Sequence, residues 1–201
     1  MTDLFQDLIK DTYNAEKQLL KAMPKMAKAA RHPKLKQSIE NHIKETEEQV
    51  KRLEEVARIG GFKPTGMVCA AMQGLVEEAN EHLQEHKPGP VLDALLISGA
   101  QKNEHYEICA YGTARAWAKE LGMTEIVRLL EQTLAEEVKA DSLLNQLAES
   151  EVNRLACQAP SEEEESKSKA KSNGKAASGS TKSTTAKASA SKASASKASA
   201  K

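Results

Sequence analysis

Four glutamates lie where the surrounding sequence pattern calls for apolar side chains. Glu16, Glu104 and Glu137 each interrupt a series of apolar residues spaced three and four apart, and Glu45 lies at the edge of a similar series. This spacing places side chains on one face of a helix, the face that normally packs into the core. A carboxylate buried there is costly unless a cation compensates its charge. The pattern therefore predicts a metal site inside a helical protein.

A polar residue follows two of these glutamates one helical turn later, Gln49 after Glu45 and Asp141 after Glu137. Residues four apart project from the same side of a helix, so each pair can converge on one point. The glutamates also form two pairs of similar separation, which is typical of a duplicated helical hairpin. Because oxygen ligands suit iron or manganese, we predict a di-metal site. Its predicted ligands are Glu16, Glu45, Gln49, Glu104, Glu137 and Asp141.

Other polar residues adjoin the predicted ligands in the sequence. We expect them to contact the ligating carboxylates and to orient them, as residues around a metal site commonly do. They are His42, His105, Tyr106 and Glu107. Glu107 and Glu78 are further candidates for oxygen ligands of the metal, with weaker support. On the helix that carries Glu104, we expect the buried face to include Ile97, Ala100, Ile108 and Tyr111.

The same residues have a second interpretation in which no metal is involved. The glutamates would then lie at the edges of the apolar faces and bond to water or to nearby lysines, among them Lys17, Lys44, Lys102 and Lys139. A single histidine or tyrosine beside an apolar face is also often a core residue with an ordinary hydrogen bond. The spacing alone leaves both interpretations open.

The elements that must position these residues are helices. Apolar residues at three- and four-residue spacing predict long helices over about 3–30, 33–59, 91–121 and 124–155, with a shorter one over about 67–85. Pro33, Gly60, Gly61, the segment 87–90 and Gly122 separate them. No stretch has the alternation typical of a strand. We predict an all-α four-helix bundle with a short crossover helix, forming one domain over residues 1–157.

Residues 158–201 differ sharply in composition from the rest of the chain. An acidic run at 162–165 precedes a segment of Lys, Ala, Ser, Thr and Gly, and no Val, Ile, Leu or aromatic residue follows Leu155. Such a segment cannot bury enough apolar surface to fold, so we predict a disordered tail. The lysines of 167–201 predict weak, non-specific contacts with DNA phosphates. The alternative is a solubilising tail whose acidic run pairs with its own lysines.

Composition limits the location and the cysteine chemistry of the protein. The N-terminal residues are acidic rather than basic, and no apolar run is long enough to span a membrane, so we expect a cytoplasmic protein without membrane contact. Cys69, Cys109 and Cys157 lack Cys-x-x-Cys spacing. We expect reduced thiols, with Cys69 and Cys109 packed in the core.

Four segments, 11–20, 45–53, 69–75 and 104–117, closely resemble the YciE/YciF family of bacterial stress-associated proteins, within the ferritin-like superfamily. The resemblance covers residues 3–150 and implies a ferritin-like bundle, a homodimer and a role in the stress response. It also implies a di-metal carboxylate site at Glu16, Glu45, Glu104 and Glu137. Ferritin-like di-iron enzymes place histidine where this chain has Glu48 and Ala140, which favours an all-oxygen site and weakens the case for ferroxidase or peroxidase turnover.

Three functional hypotheses follow from these patterns. The first is a ferritin-like stress protein that binds iron or manganese and oxidises the metal or removes peroxide. The second is a non-enzymatic, DNA-associated stress protein that uses its basic tail. The third is a helical scaffold in which the polar groups of the core satisfy one another.

Overall fold

The computed structural model describes residues 1–160, and over this range the chain is helical with no strand. The helices are α1 (Thr2–Ala29), α2 (Pro33–Gly60), α3 (Ala70–Glu85), α4 (Pro90–Glu120) and α5 (Thr124–Leu147), then a π-helical turn (Ala148–Val152) and α6 (Asn153–Gln158). The predicted all-α class is confirmed. The predicted disorder of the tail and its predicted DNA contacts concern residues that lie outside the described range.

The four long helices form two hairpins that pack against each other. α1 packs on α2 and α4 packs on α5, each pair joined by a short connection, while α2 also contacts α5 and α1 also contacts α4. The shorter helix α3 carries the chain from one hairpin to the other and packs on α1 and α4. This arrangement is the predicted ferritin-like four-helix bundle with a crossover helix.

The chain connections use the residues that the sequence offers for stopping and starting helices. Pro33 begins α2, where a missing N–H costs nothing. Gly61 ends α2 with a left-handed backbone, φ 74°. Between α1 and α2 the backbone N–H groups of Arg31 and His32 donate to the buried carboxylate of Asp93 at 2.8 and 2.9 Å. Asp93 thereby ties the first hairpin to the start of α4.

The core consists of two apolar clusters separated by a polar layer. In α1 the residue Ile9 belongs to one cluster and Leu19 to the other, and in α5 Leu130 and Leu144 are divided in the same way. Between these apolar positions each long helix buries polar side chains at the same level of the bundle. They are Glu16, Gln49, Glu104, Glu107 and Glu137.

One prediction about the cysteines is wrong. Cys69 is buried as expected, whereas Cys109 is exposed. The buried face of α4 passes through Glu107, Ala110 and Ala114, so residue 109 points away from it. The register of that face, rather than the hydrophobicity of the thiol, decides its exposure.

Across residues 1–160, every helix is too short or too polar to cross a lipid bilayer.

Candidate metal centre

Side chains from all four long helices meet in the polar layer at the middle of the bundle. His42 of α2, Glu104 and Glu107 of α4 and Glu137 of α5 offer ligand atoms that all lie within 4.8 Å of one another. Glu16 of α1 is fully buried next to them. We use the name carboxylate centre for the four buried glutamates, Glu16, Glu104, Glu107 and Glu137, none of which is more than 2% exposed.

With all four glutamates ionised, several oxygens of the carboxylate centre accept no hydrogen bond among the described residues. These are Oε2 of Glu16, Oε2 of Glu104, both oxygens of Glu107 and Oε2 of Glu137. A buried acceptor without a donor costs about 1–3 kcal/mol, and a buried charge costs more. The helices bring these oxygens together instead of separating them. Iron and manganese bind carboxylate oxygens of this kind in helical bundles, so the residues fit the predicted metal.

Without a cation, the carboxylate centre must hold protons. Burial raises the pKa of Glu104 to about 7, with a further contribution from the charge of Glu16. Burial and the neighbouring carboxylates raise the pKa of Glu107 and of Glu137 well above the usual range. The pairs Glu16 with Glu107 and Glu104 with Glu137 lie close enough to share a proton. A divalent cation would take the place of these protons.

His42 lies between the carboxylate centre and the outside. Its Nε2 is 3.4 Å from Glu104 and 3.9 Å from Glu137, and its Nδ1 is 3.6 Å from Glu45. Burial alone would lower the pKa of His42, but the contact with Glu45 and the charges of Glu137 and Glu16 raise it. A protonated imidazole here compensates part of the negative charge when no metal is bound.

Two neutral side chains fix the orientation of buried carboxylates. The phenol of Tyr111 donates to Oε1 of Glu16 at 2.5 Å. The amide of Gln49 donates to Glu137, and also to Glu136 at 3.2 Å. Because each donor occupies one oxygen of its carboxylate, the other oxygen is left for a cation.

Polar contacts close one half of the interface between α2 and α5. Arg52 donates to Thr133 and, at 2.8 Å, to Glu136, which also accepts from Gln49. The other half is open and forms a groove of about 620 Å³ whose lining includes His42, Glu45 and Ala140. A small inner cavity of about 30 Å³ shares Ser38, His42 and Ala140 with this groove and reaches Glu104. His42 therefore separates the carboxylate centre from solvent.

Two of the six predicted ligands, Glu45 and Asp141, are only partly buried. The side chain of Glu45 is 43% exposed and lies on the outer side of His42. Asp141 accepts a hydrogen bond from Gln101 at 3.1 Å and lies 3.5 Å from His105, whose side chain is 70% exposed. Glu16, Gln49, Glu104 and Glu137 lie in the buried polar layer, and their role as metal ligands stays a prediction. Asp141 and His105 form a separate contact nearer the surface.

Tyr106 contacts a different set of residues from those expected. Its hydroxyl donates to Asp11 at 2.6 Å and accepts from the thiol of Cys69 at 3.0 Å. Burial and the hydrogen bond to Asp11 raise its pKa above the usual range. The phenol that contacts the carboxylate centre is Tyr111, which sequence reasoning assigned only to the apolar core.

Glu107 is the main residue that sequence reasoning undervalued. It is fully buried, while Ile108, expected on the buried face, is only partly buried. The buried face of α4 runs through Ala100, Glu104, Glu107 and Tyr111. The spacing of four, three and four was present in the sequence, but the apolar Ile108 fits nearly the same face. Only packing against the other helices distinguishes the two.

The family profile described as "Domain of unknown function (DUF892)" matches residues 1–157. This chain belongs to the DUF892 family. Protein YciF of Escherichia coli K12 is 44% identical to it over 155 residues, which cover 77% of this chain and 93% of YciF. The resemblance found in the sequence is thereby confirmed.

Solved structures of similar proteins share the fold of this DUF892 chain. The crystal structure of the E. coli stress protein YciF superposes with a TM-score of 0.72 at 44% identity, covering 75% of this chain and 96% of YciF. The protein YcfI of Rhodopseudomonas palustris, also 44% identical, gives 0.68 and covers 71% of this chain and 91% of its own. A Xanthomonas campestris protein at 20% identity gives 0.58, which shows a common fold alone.

Proposed function

We propose that this DUF892 protein is a stress-response protein that binds two iron or manganese ions in its carboxylate centre. The observation that carries the proposal is the convergence of buried carboxylate oxygens without hydrogen-bond donors. Lysines do not compensate them, because no lysine forms an ion pair with these glutamates among the described residues. The alternative in which the glutamates lie at surface edges and pair with lysines is therefore less well supported.

The charge of the centre favours two divalent ions over one. Ionised, Glu16, Glu104, Glu107 and Glu137 carry one negative charge each, and Gln49 adds none. Two divalent cations would neutralise four carboxylates, whereas one would leave a net negative charge in a low-dielectric interior. Oxygen ligands with one imidazole suit iron and manganese.

The residues around the carboxylate centre would have different roles in binding the metal. Glu16, Glu104, Glu107 and Glu137 would supply the oxygens, and Tyr111 and Gln49 would orient Glu16 and Glu137. His42 would bind metal or carry a proton between the centre and the groove. Bound iron or manganese would supply the redox chemistry, in which either the ion itself is oxidised or peroxide is removed. The α2/α5 groove would admit the ion or the oxidant.

The test is metal content after reconstitution. The full chain is incubated with Fe²⁺ without oxygen, or with Mn²⁺, then desalted and analysed for metal per chain. We expect about two ions per chain for the wild type. Glu107→Gln should lose at least one of them, because glutamine keeps the shape of a protonated glutamate but supplies no charge. Glu120→Gln, an exposed position on the same helix, is the matched control.

Two results would contradict the proposal. One is a wild-type protein that retains neither iron nor manganese. The other is equal metal content in wild type and Glu107→Gln. In the first case the third hypothesis, a helical scaffold whose buried carboxyl groups remain protonated, would replace it; in the second, any bound metal would lie outside the carboxylate centre.

We also propose a second function, non-specific DNA binding by the lysines of 167–201. These lysines follow the acidic run and contain no interleaved aromatic residue, which favours phosphate contacts over base stacking. A gel-shift comparison of the full chain with a chain that stops at Pro160 tests it. Equal shifts at low salt would rule out a role for the tail.

A homodimer, implied by the resemblance to the YciE/YciF family, is part of the proposal as well. Sedimentation equilibrium of the full chain should give twice the mass of one chain. A monomer at micromolar concentration would reject it.

A further inference from the structure

A second group of metal-binding side chains lies at the C-terminal end of α3, on the protein surface. His82, Glu85 and His86 offer ligand atoms that all lie within 4.8 Å of one another. We call these three residues the α3 cluster. His82 and His86 are separated by one helical turn, a spacing that lets two imidazoles bind the same ion.

The backbone holds the two imidazoles side by side. Glu85 is the last residue of α3, and His86 follows it with an extended backbone, φ −113° and ψ 136°. The N–H of His86 still donates to the carbonyl of His82 at 3.1 Å. The ring centroids are 6.2 Å apart and tilted by 52°, so the rings do not stack on each other.

The side chains of the α3 cluster form only one other ion contact among the described residues, that of His82 with Glu78. Nδ1 of His82 is buried and has no hydrogen-bond partner within residues 1–160. Its Nε2 lies 3.7 Å from Glu78, whose carboxylate is paired with Lys102. Glu85 forms no ion pair in the part of the chain that the structure describes. The carbonyl groups at a helix C-terminus add a partial negative charge that favours a cation.

We propose that His82, Glu85 and His86 bind a divalent transition metal of the zinc class, at a site separate from the carboxylate centre. Two imidazoles and one carboxylate form a ligand set that suits Zn²⁺, Ni²⁺ or Cu²⁺. Three protein ligands leave one position of a tetrahedral ion for water or for a donor atom of another molecule. The inference does not depend on the function proposed for the interior.

The probe is Zn²⁺, titrated calorimetrically into the full chain without an affinity tag. We expect His86→Gln and His82→Gln each to weaken binding at one site by about tenfold or more, because each removes one of three ligands. His105→Gln is the matched control, since His105 is exposed and belongs to α4. Its zinc affinity should equal that of the wild type.

Two further measurements separate this site from the interior. Glu107→Gln should keep zinc binding at the α3 cluster, and His86→Gln should keep the manganese content of the wild type. Should a histidine variant fail to give the wild-type circular dichroism spectrum, Glu85→Gln, at an exposed position, provides an independent test with the same expected loss.

Unchanged zinc affinity and stoichiometry in His82→Gln, His86→Gln and Glu85→Gln would overturn the proposal. Loss of zinc binding in Glu107→Gln together with its retention in His86→Gln would also overturn it, because zinc would then occupy the carboxylate centre.

Discussion

The carboxylate centre and the α3 cluster both bring together side chains of the types that bind metals, but in different surroundings. The first draws four buried glutamates from three helices, whereas the second occupies one helix end and includes the exposed Glu85. Buried carboxylates must be compensated by protons or by metal. The exposed carboxylate of Glu85 is solvated by water and needs neither. We therefore expect metal binding to be coupled more strongly to folding at the carboxylate centre than at the α3 cluster.

The largest expected effect is a difference in how each metal changes thermal stability. Saturating Mn²⁺, at about a hundred times its dissociation constant, should stabilise the folded chain by about 2.7 kcal/mol for each of the two bound ions, about 5 kcal/mol together, and raise Tm by about 10–20 °C. Zn²⁺ at the α3 cluster should raise Tm less. Its ligands all lie between residues 82 and 86, so the unfolded chain retains part of the affinity.

Differential scanning calorimetry of the full chain measures both shifts. Glu107→Gln should abolish the response to Mn²⁺ and keep the response to Zn²⁺. A zinc-induced shift as large as that of Mn²⁺ would contradict the distinction between the two sites.

The second-largest expected effect is the pH dependence of the stability of the metal-free protein. The raised pKa of Glu104, about 7 in place of 4.5, means that the folded state binds this proton more tightly than the unfolded chain does. The stabilisation that this proton gives the folded state is complete below pH 4.5 and is lost as pH rises through about 7. The raised pKa values of Glu16, Glu107, Glu137 and His42 act in the same direction.

Chemical denaturation between pH 5 and 8 in the presence of a chelator should therefore show stability falling with pH. Glu107→Gln should flatten this slope, while His82→Gln should leave it unchanged. A metal-free wild type that becomes more stable over the same interval would show that the buried carboxyl groups are not protonated near neutral pH.

The smallest expected effect is on the rate at which Mn²⁺ reaches the carboxylate centre. Ala140 lines both the α2/α5 groove and the inner cavity, so Ala140→Trp should obstruct the route past His42. Stopped-flow uptake of Mn²⁺ should slow by about tenfold or more, with the final metal content unchanged. Zn²⁺ binding at the α3 cluster should keep its rate, because that cluster is already at the surface.

Ala135→Trp, exposed on the same helix, is the control and should leave Mn²⁺ uptake at the wild-type rate. Equal uptake rates in the wild type and Ala140→Trp would mean that ions reach the carboxylate centre by another route.

The helices and their order were predictable because each depends on local signals. Apolar spacing identifies the four long helices, and Pro33, Gly61 and Gly122 mark where the chain must turn. The burial of Glu16, Glu104 and Glu137 was predictable for the same reason. Each interrupts an apolar series near its middle, so any packing that buries the series also buries the glutamate.

Which residues belong to the carboxylate centre depends on tertiary contacts. Successive residues on a helix differ by about 100° in direction, so a broad apolar face leaves the choice between Glu107 and Ile108 open. Packing of α4 against the other helices buries Glu107 fully and brings Tyr111 to Glu16. Packing of α2 on α5 places His42 inward and Glu45 outward.

The sequence alone therefore determined a helical bundle with acidic residues in its core, since helical periodicity and the cost of buried charge are local properties of each segment. Tertiary structure decided which oxygens share one site, which histidine closes it and which ligands remain at the surface. Those outcomes depend on the rotation of each helix relative to its neighbours, which is set by side-chain packing across the whole bundle.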